Sequence, residues 1–565
     1  MVATAHPQAT RAALAVLAQG GAAIDAAIAA QAVLGLVEPQ SSGFGGGALA
    51  MHWDAARQAL TSWDGLAAAP SRSTRGLTVD VDGRLLDSAA SRHGGRSVGV
   101  PGALALLTSL HQRHGKLPWA SLFASAITLA DEGFALAPYL HSVLSGPNAA
   151  RDHPEMRGLY FGADGRVLPV GSIVRNPAYA NTLRSLASLG AQGWLRAGAA
   201  QDIVAASQRG YRASLMTEAD VLAYQAEPRE PLCAPFQRWR VCVMGPSSYG
   251  GVVVLQMLGM LGMLGTLGTL QTMPIQRSHS LPSSSFNFDD AAFVHAFIEA
   301  GRLAQADRLL HLGDPAFVKA PLAALLDPAY LETRAAGIDI TRRAESAQPR
   351  VPAPQLPGVA VPEATTSQIA IADSAGNALS ITTTINLNFG SRLMVGGYVL
   401  NNAMTNFSPE PPPEQTRENQ IVANQMAANR MAPNKRPVTS MAPTMVFDER
   451  GQPVLVGGSA GGGQIVDYIA QALIDMLAQQ RTPQQALARG HVSTAVPGTV
   501  QLERGTPVQG LAKVLTEMGH QPVVTEMTSG LAFIQRTPQG WIGAADPRRD
   551  GVALGQWPPS QAPPH

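Results

Sequence analysis

Three residues near one strand end carry the chemistry of this chain: Thr366, Thr384 and Asn386. The stretch from Thr366 to Asn386, TSQIAIADSAGNALSITTTIN, reads as a β-hairpin. Ile369 and Ile371 alternate with small residues on the first arm. Leu379, Ile381, Thr383 and Ile385 alternate with polar residues on the second. Asp373-Ser374-Ala375-Gly376-Asn377 suits the turn, with Asp373 paired to Asn377. Counting outward along antiparallel arms sets Thr366 opposite Thr384, where side chains share a face and nearly touch. Asn386 lies two residues on and shares that face. The same pattern also describes the solvated face of a Thr-rich hairpin, because Thr is a good strand former.

The neighbouring segments choose between these readings. TINLNFG, LNNAMTNFS, PNKRPVTSMAPT and GSAGG follow the hairpin, while GFGGG (Gly43 to Gly47) and GPSSYGG (Gly245 to Gly251) precede it. Together with TSQIAIADSAGN, and in this order along nearly the whole chain, they resemble the γ-glutamyltransferase family of self-processing N-terminal-nucleophile hydrolases. The resemblance implies an α+β fold, a four-layer αββα sandwich. It also implies a precursor cut between Thr365 and Thr366 into a large fragment, 1–365, and a small one, 366–565, that remain a heterodimer. No cofactor and no metal are implied.

A threonine hydroxyl is a weak nucleophile and needs a base. Cutting the 365–366 bond frees the α-amine of Thr366, whose reference pKa of about 7.7–8.0 suits that task. Thr384, opposite, orients the Thr366 hydroxyl. Taking Thr365 as nucleophile instead would set Ile385 opposite, which offers no hydrogen bond. By the family match, Gly461 and Gly462 supply backbone N–H groups to the developing oxyanion, each worth on the order of 3 kcal/mol. Thr439 and Ser440 match hydroxyls that hold the substrate α-carboxylate, and Asn386 and Asn402 face the acyl chain.

Two departures from the pattern bear on the substrate. γ-Glutamyl enzymes of the family use an Arg in a D-G-R-E-x-A-P-like segment, where this chain has Asp64-Gly65-Leu66. They hold the amino group with a Gln and an Asp where this chain has Ala403 and Asn406. Losing both charges leaves a zwitterionic glutamyl head poorly paired. The combination resembles the cephalosporin-acylase branch, whose acyl groups, such as glutaryl, lack the amine. The expected partner is a small amide substrate with a γ-glutamyl or glutaryl-like acyl group.

Rival chemistry exists. Gly457-Gly458-Ser459-Ala460-Gly461 fits G-x-S-x-G between strand and helix, with His491 or His520 as base. The hairpin-rich region upstream of Ser459 lacks the βα units such an elbow needs. A catalytically inactive binding homologue is the other alternative. Retention of Thr366, Thr384, Asn386 and both turn glycines argues against it.

Bulk properties exclude several classes. In 565 residues, 41 basic and 40 acidic side chains leave a net charge of +1, which is no footprint for nucleic acid. Hydrophobic residues make up 45% of the chain, ample for a large core. Residues 7–37 read as two helices broken at Gly20-Gly21. Gly43–Gly47 follows a helix rather than a strand, so it reads as a close-packed turn and not a dinucleotide loop. His111 and His114 lack a third ligand nearby and read as surface residues. Cys233 and Cys242 flank PFQRW, a hairpin-like segment, and we read them as free core thiols rather than a bridge. Gly251–Gln271 carries no charge, yet its five glycines and missing basic anchors favour a buried helix running into a Leu-Gly repeat over a membrane span. Gln348–Glu363 reads as a Pro-rich tether, Pro409–Pro437 as a flap over a pocket, and the last eight residues as a disordered tail. No signal peptide is evident, so the expected compartment is cytoplasmic, or periplasmic if an upstream signal was removed.

Overall fold

The structure is a computed structural model that describes residues 1–74, 91–146, 150–209, 212–266, 286–345, 365–408 and 427–556. The expected Pro-rich tether, the larger part of the flap, the end of the Leu-Gly repeat and the C-terminal tail lie outside the described residues.

Helices relevant to the site are α1 (Pro7–Ala18), α2 (Ala23–Val37), α3 (Ala103–His114), α4 (Ala124–Glu132), α5 (Pro177–Trp194), α6 (Gly250–Thr266), α7 (Ala291–His311) and α8 (Ile465–Leu477). The strands are β1 (Val2–Thr4), β2 (Gly47–Asp54), β3 (Ala59–Gly65), β4 (Glu227–Arg229), β5 (Leu232–Phe236), β6 (Trp239–Val243), β7 (Ser367–Ala372), β8 (Ala378–Thr384), β9 (Thr444–Phe447), β10 (Pro453–Gly458), β11 (Ala532–Thr537), β12 (Gly540–Ala545) and β13 (Val552–Leu554). One sheet runs β13-β1-β7-β8-β2-β3-β4, and the other runs β12-β11-β10-β9-β6-β5.

Strand alternation assembles the layers. Val2, Ile369, Ile371, Leu379 and Ile381 of the first sheet pack outward against α2 to α5. Their neighbours Ala3, Ala370, Ala372 and Ala378 face inward, where they meet Met445, Phe447, Val456 and Ile534 of the second sheet. Val241, Val243, Val446 and Leu455 point out of the second sheet into α6, α7 and α8. Helix, sheet, sheet, helix is the expected αββα sandwich, and its inner contact is thin because alanines line one side.

The central hairpin holds the expected register. Asp373 N donates to Asn377 O at 3.0 Å. β7 and β8 pair with Ile369 opposite Ile381 and Ser367 opposite Thr383, which carries Thr366 to a place opposite Thr384. The Gly43–Gly47 turn is close-packed, as expected. A Cβ at Gly46 would stand 2.2 Å from Thr384 O, so a side chain there would push the end of β8 away.

Three expectations need amendment or completion. Cys233 and Cys242 are not free core thiols: they form a disulfide, and no free cysteine remains. They are direct partners in the β5–β6 pairing, with Cα atoms 4.1 Å apart, and Cys233 is exposed on the edge strand. His111 and His114 are half-buried rather than freely exposed. His111 Nε2 lies 3.0 Å from Leu117 O, and the His114 ring stacks on His52 at 4.1 Å. Both cover the end of α3 rather than wait for a ligand. The uncharged segment after Gly250 is a buried helix, α6, and no helix among the described residues is long and apolar enough to cross a membrane.

Candidate active site

Thr366 stands at the head of β7, in the middle of the first sheet. In the uncut chain its hydroxyl contacts the carbonyl oxygen of Thr365. Thr366 Oγ1 also donates to Thr384 Oγ1 at 3.2 Å, and Thr384 Oγ1 donates to Thr365 O at 3.0 Å. Asn386 N donates to Thr384 Oγ1 at 2.8 Å. Thr384 thus accepts from two donors and has its own proton left for one acceptor, the carbonyl that precedes Thr366.

Asn386 adopts a left-handed backbone, φ 84°, just past the end of β8. Its side chain is fixed by Asn402 and Thr405: Nδ2 donates to Asn402 Oδ1 at 3.2 Å and Thr405 Oγ1 at 2.9 Å. Asn402 is fully buried and donates to Arg92 O at 3.0 Å. It therefore stands behind Asn386 rather than in the open site.

A cavity of about 230 Å³ opens over these groups. Its lining includes Thr365, Thr366, Thr384, Asn386 and Asn406 from the hairpin side, and Thr439, Ser440, Gly462 and Gly463 from the second sheet side. Gly461 lies one residue behind, as the N-cap of the short 3₁₀ turn Gly462–Gln464 that starts α8. Ser440 Oγ donates to Gly462 O at 2.6 Å, which ties the hydroxyl pair to the glycine turn. GPSSYGG braces the same pair, because Tyr249 N donates to Thr439 O at 2.9 Å.

Leu66 and Ala403 do not reach this cavity. Leu66 is buried in the core, with its N–H on Asp64 Oδ1 at 3.0 Å. Ala403 packs with Ala67, Ala69, Met404, Phe407 and Met431. Asp64 is instead held by Arg229 at 3.2 Å and Arg436 at 3.5 Å, so the segment is a structural ion-pair centre here.

Three groups at the site escaped the sequence reading. Arg308 of α7 lines the cavity, its guanidinium stacked 3.9 Å from the Tyr249 ring centroid, and it has no salt-bridge partner among the described residues. Arg549 Nη1 donates to Thr366 O at 2.9 Å and Nη2 to Thr528 O at 3.1 Å. Glu38 is buried behind the strand, and Ser367 Oγ donates to its Oε2 at 3.4 Å. Burial pushes the Glu38 carboxyl up to about 7, although Arg549 pulls the other way. Each comes from a segment hundreds of residues from its partner or from an ordinary-looking helix, so no local spacing marks it.

The serine-hydrolase alternative lacks its base. Ser459 is fully buried and donates to Ala460 O at 2.7 Å. His491 is paired with Ser529 at 2.6 Å, and His520 with His295 at 2.7 Å. A larger cavity of about 380 Å³, lined by Phe44, Trp63, Arg113, Trp194 and Tyr398 among others, contains none of the groups around Thr366. The smaller cavity is the one that holds Thr366, Thr384 and Asn386.

A four-layer sandwich with a threonine at the head of a central strand is the layout of N-terminal-nucleophile hydrolases. The Gamma-glutamyltranspeptidase family profile matches residues 9–556. The chain is 32% identical to the Acylase ACY 1 proenzyme of Pseudomonas sp. (strain SE83), over 98% of this chain and 93% of that protein. It is 29% identical to the Glutathione hydrolase proenzyme of Bacillus subtilis (strain 168), over 98% and 91%. Among solved structures, cephalosporin acylase from Bacillus halodurans superposes with a TM-score of 0.78 at 26% identity, covering 98% of this chain and 96% of that one. The chain belongs to the gamma-glutamyltranspeptidase family.

Proposed function

We propose that this protein is a self-cleaving amidohydrolase that works through an acyl-Thr366 intermediate. The observation that carries this reading is the contact of the Thr366 hydroxyl with Thr365 O, beside a Thr384 hydroxyl that donates to the same carbonyl at 3.0 Å. Thr366 Oγ1 adds to the Thr365 carbonyl carbon through a five-membered ring, and Thr384 stabilises the negative charge that develops on the oxygen. Collapse breaks the C–N bond and leaves an ester on Thr366 Oγ1. The broken C–N bond leaves the α-amine of Thr366 free, and water then hydrolyses the ester, releasing fragment 1–365 as a carboxylate and restoring the Thr366 hydroxyl. That amine then takes the Thr366 hydroxyl proton when the substrate amide is attacked. Gly462 and Gly463, at the start of the turn into α8, are the backbone donors best set to receive the substrate oxyanion.

The acyl group we favour carries a distal carboxylate and no amine. Arg308, Thr439 and Ser440 offer a cation and two hydroxyls to a carboxylate. No Asp or Glu lines the cavity among the described residues, so an α-ammonium would enter without a counter-charge. Glutaryl-type amides fit these groups better than γ-glutamyl amides. The Cys233–Cys242 bridge argues for an oxidising compartment rather than the cytoplasm.

Intact mass of the purified protein beside Thr366→Ala tests the reading. Two fragments, one beginning at Thr366 and absent from the variant, are expected. A single full-length chain in both overturns self-cleavage, and a new terminus at Thr365 moves the nucleophile by one residue. Glutaryl and γ-glutamyl p-nitroanilides then compare the acyl groups, with the higher kcat/KM expected for glutaryl.

A further inference from the structure

Away from Thr366, α7 carries two buried side chains one turn apart, His295 and Glu299. A third, His520, reaches them from the turn after the short helix Ala512–Glu517. One ligand atom from each of the three lies within 4.8 Å of the others, and all three residues are buried. We propose that His295, Glu299 and His520 form a Zn²⁺ site that joins the two halves of the protein.

The hydrogen bonding already orients one donor. His295 Nε2 lies 2.8 Å from Asp339 O, and a carbonyl can only accept. The ring proton therefore sits on Nε2, and the Nδ1 lone pair points at His520 Nε2, 2.7 Å away. A backbone carbonyl that fixes the tautomer of a ligating histidine is a common outer partner in metal sites. Without an ion, His520 fills the place by donating its Nε2 proton to His295. With an ion, His520 carries its proton on Nδ1 and offers Nε2.

The donor set selects the ion. Two imidazoles and one carboxylate suit zinc, with water as a fourth ligand, and do not suit the all-oxygen shells of Mg²⁺ or Ca²⁺. Zinc–nitrogen bonds of about 2.0–2.1 Å in a tetrahedron hold two nitrogens roughly 3.3 Å apart. The two rings therefore separate by about 0.6 Å from their present 2.7 Å, a shift that side-chain rotation supplies. Glu299 can turn toward the ion because its present cation, Arg302, has a second acceptor. Arg302 Nη1 and Nη2 both donate to Ala344 O at 3.3 Å.

The placement gives the site a role. His295 and Glu299 precede Thr366 in the chain, and His520 follows it. Asp339 and Ala344, the outer partners, belong to the segment that leads toward the cleavage point, and Ala344 N donates to Glu299 Oε2 at 3.2 Å. An ion here clips the end of the large fragment to the small one.

Chelator-stripped protein titrated with ZnCl₂ alone tests this, by calorimetry and thermal unfolding. One ion per chain is expected, with Kd on the order of 1 µM or tighter and a Tm that rises with zinc. His520→Gln and Glu299→Gln each weaken uptake by about tenfold or more. Equal uptake by both variants overturns the proposal, because the zinc then sits on other side chains. Absence of saturable uptake by wild type overturns it too. Cobalt(II) in place of zinc gives the visible absorption of a tetrahedral site in wild type, which needs no variant to fold, and its absence counts against the site. The uncut Thr366→Ala protein takes up zinc equally, so the outcome stands apart from the fate of the self-cleavage reading.

Discussion

Arg549 Nη1 donates to the carbonyl oxygen of Thr366, 183 residues away in sequence, at 2.9 Å. The same guanidinium holds Thr528 O and stacks on Tyr139 with its carbon 4.7 Å from the ring centroid. It fixes the residue that, in the proposed mechanism, must both attack and later present a free amine. Arg549→Met leaves two carbonyls without this donor and should slow self-cleavage about tenfold or more, with a loss of about 3 kcal/mol in stability. Arg549→Lys should recover only part of each, because an ammonium does not span two acceptors as the planar fork does. A time course on denaturing gels and urea melts read the two effects.

The proposed mechanism has Thr384 act through its hydroxyl, so Thr384→Ser and Thr384→Val should separate. Valine keeps the shape and removes both the acceptor for Thr366 and the donor to Thr365 O. Cleavage in the valine variant should slow by about 100-fold or more, while serine stays within about tenfold of wild type. Equal rates in the two variants would remove Thr384 from the mechanism.

Glu38 makes stability depend on pH. Burial raises its carboxyl from the ordinary 4.5 to about 7, so the folded state binds this proton more tightly than the unfolded chain. Its stabilising contribution is complete below about 4.5 and is lost as pH rises through about 7. The difference of about 2.5 units corresponds to a swing on the order of 3 kcal/mol. Asp467 and Asp475, each raised by burial to about 6, act in the same direction. Glu38→Gln isolates the one group. The wild-type urea midpoint should fall relative to that variant between pH 5 and pH 8, and parallel curves would contradict the assignment.

Arg308 should decide the acyl group. In Arg308→Gln the ratio of kcat/KM for glutaryl over valeryl anilide should fall by about 10-fold to 100-fold, the worth of one charge-assisted hydrogen bond. Arg308→Lys should restore part of the ratio. An unchanged ratio would move the carboxylate contact to Thr439 and Ser440 alone.

The hairpin was legible because its rules are local. Alternation and turn chemistry fix the register from Asp373 and Asn377, and the register alone sets Thr366 against Thr384. The Gly43–Gly47 turn was legible because it follows a helix. Arg308, Arg549 and Glu38 were not, since each earns its role from a partner on another element. Arg308 reads as one more polar position on an amphipathic helix until Tyr249 is brought under it. Leu66 and Ala403 show the reverse case: they stand at the family's pocket positions, and both side chains here pack into apolar clusters. For Cys233 and Cys242 the hairpin was read correctly and its consequence was not, because directly opposed cysteines on an antiparallel pair are already within bridging distance.

The first sheet alternates segments from either side of residue 366: β13, then β1, then β7 and β8, then β2, β3 and β4. β1 is hydrogen-bonded to β13 on one edge and β7 on the other. A single uncut chain can thread this order by folding as one molecule. If the 365–366 bond is cut as proposed, the same order has to be rebuilt by two molecules that must find each other and interleave. The proposed cleavage would then act as a ratchet: recovery of the cut protein after denaturation is expected to depend on concentration, and that of the uncut chain is not. The uncut Thr366→Ala chain keeps the reversible route that its cleaved counterpart has given up.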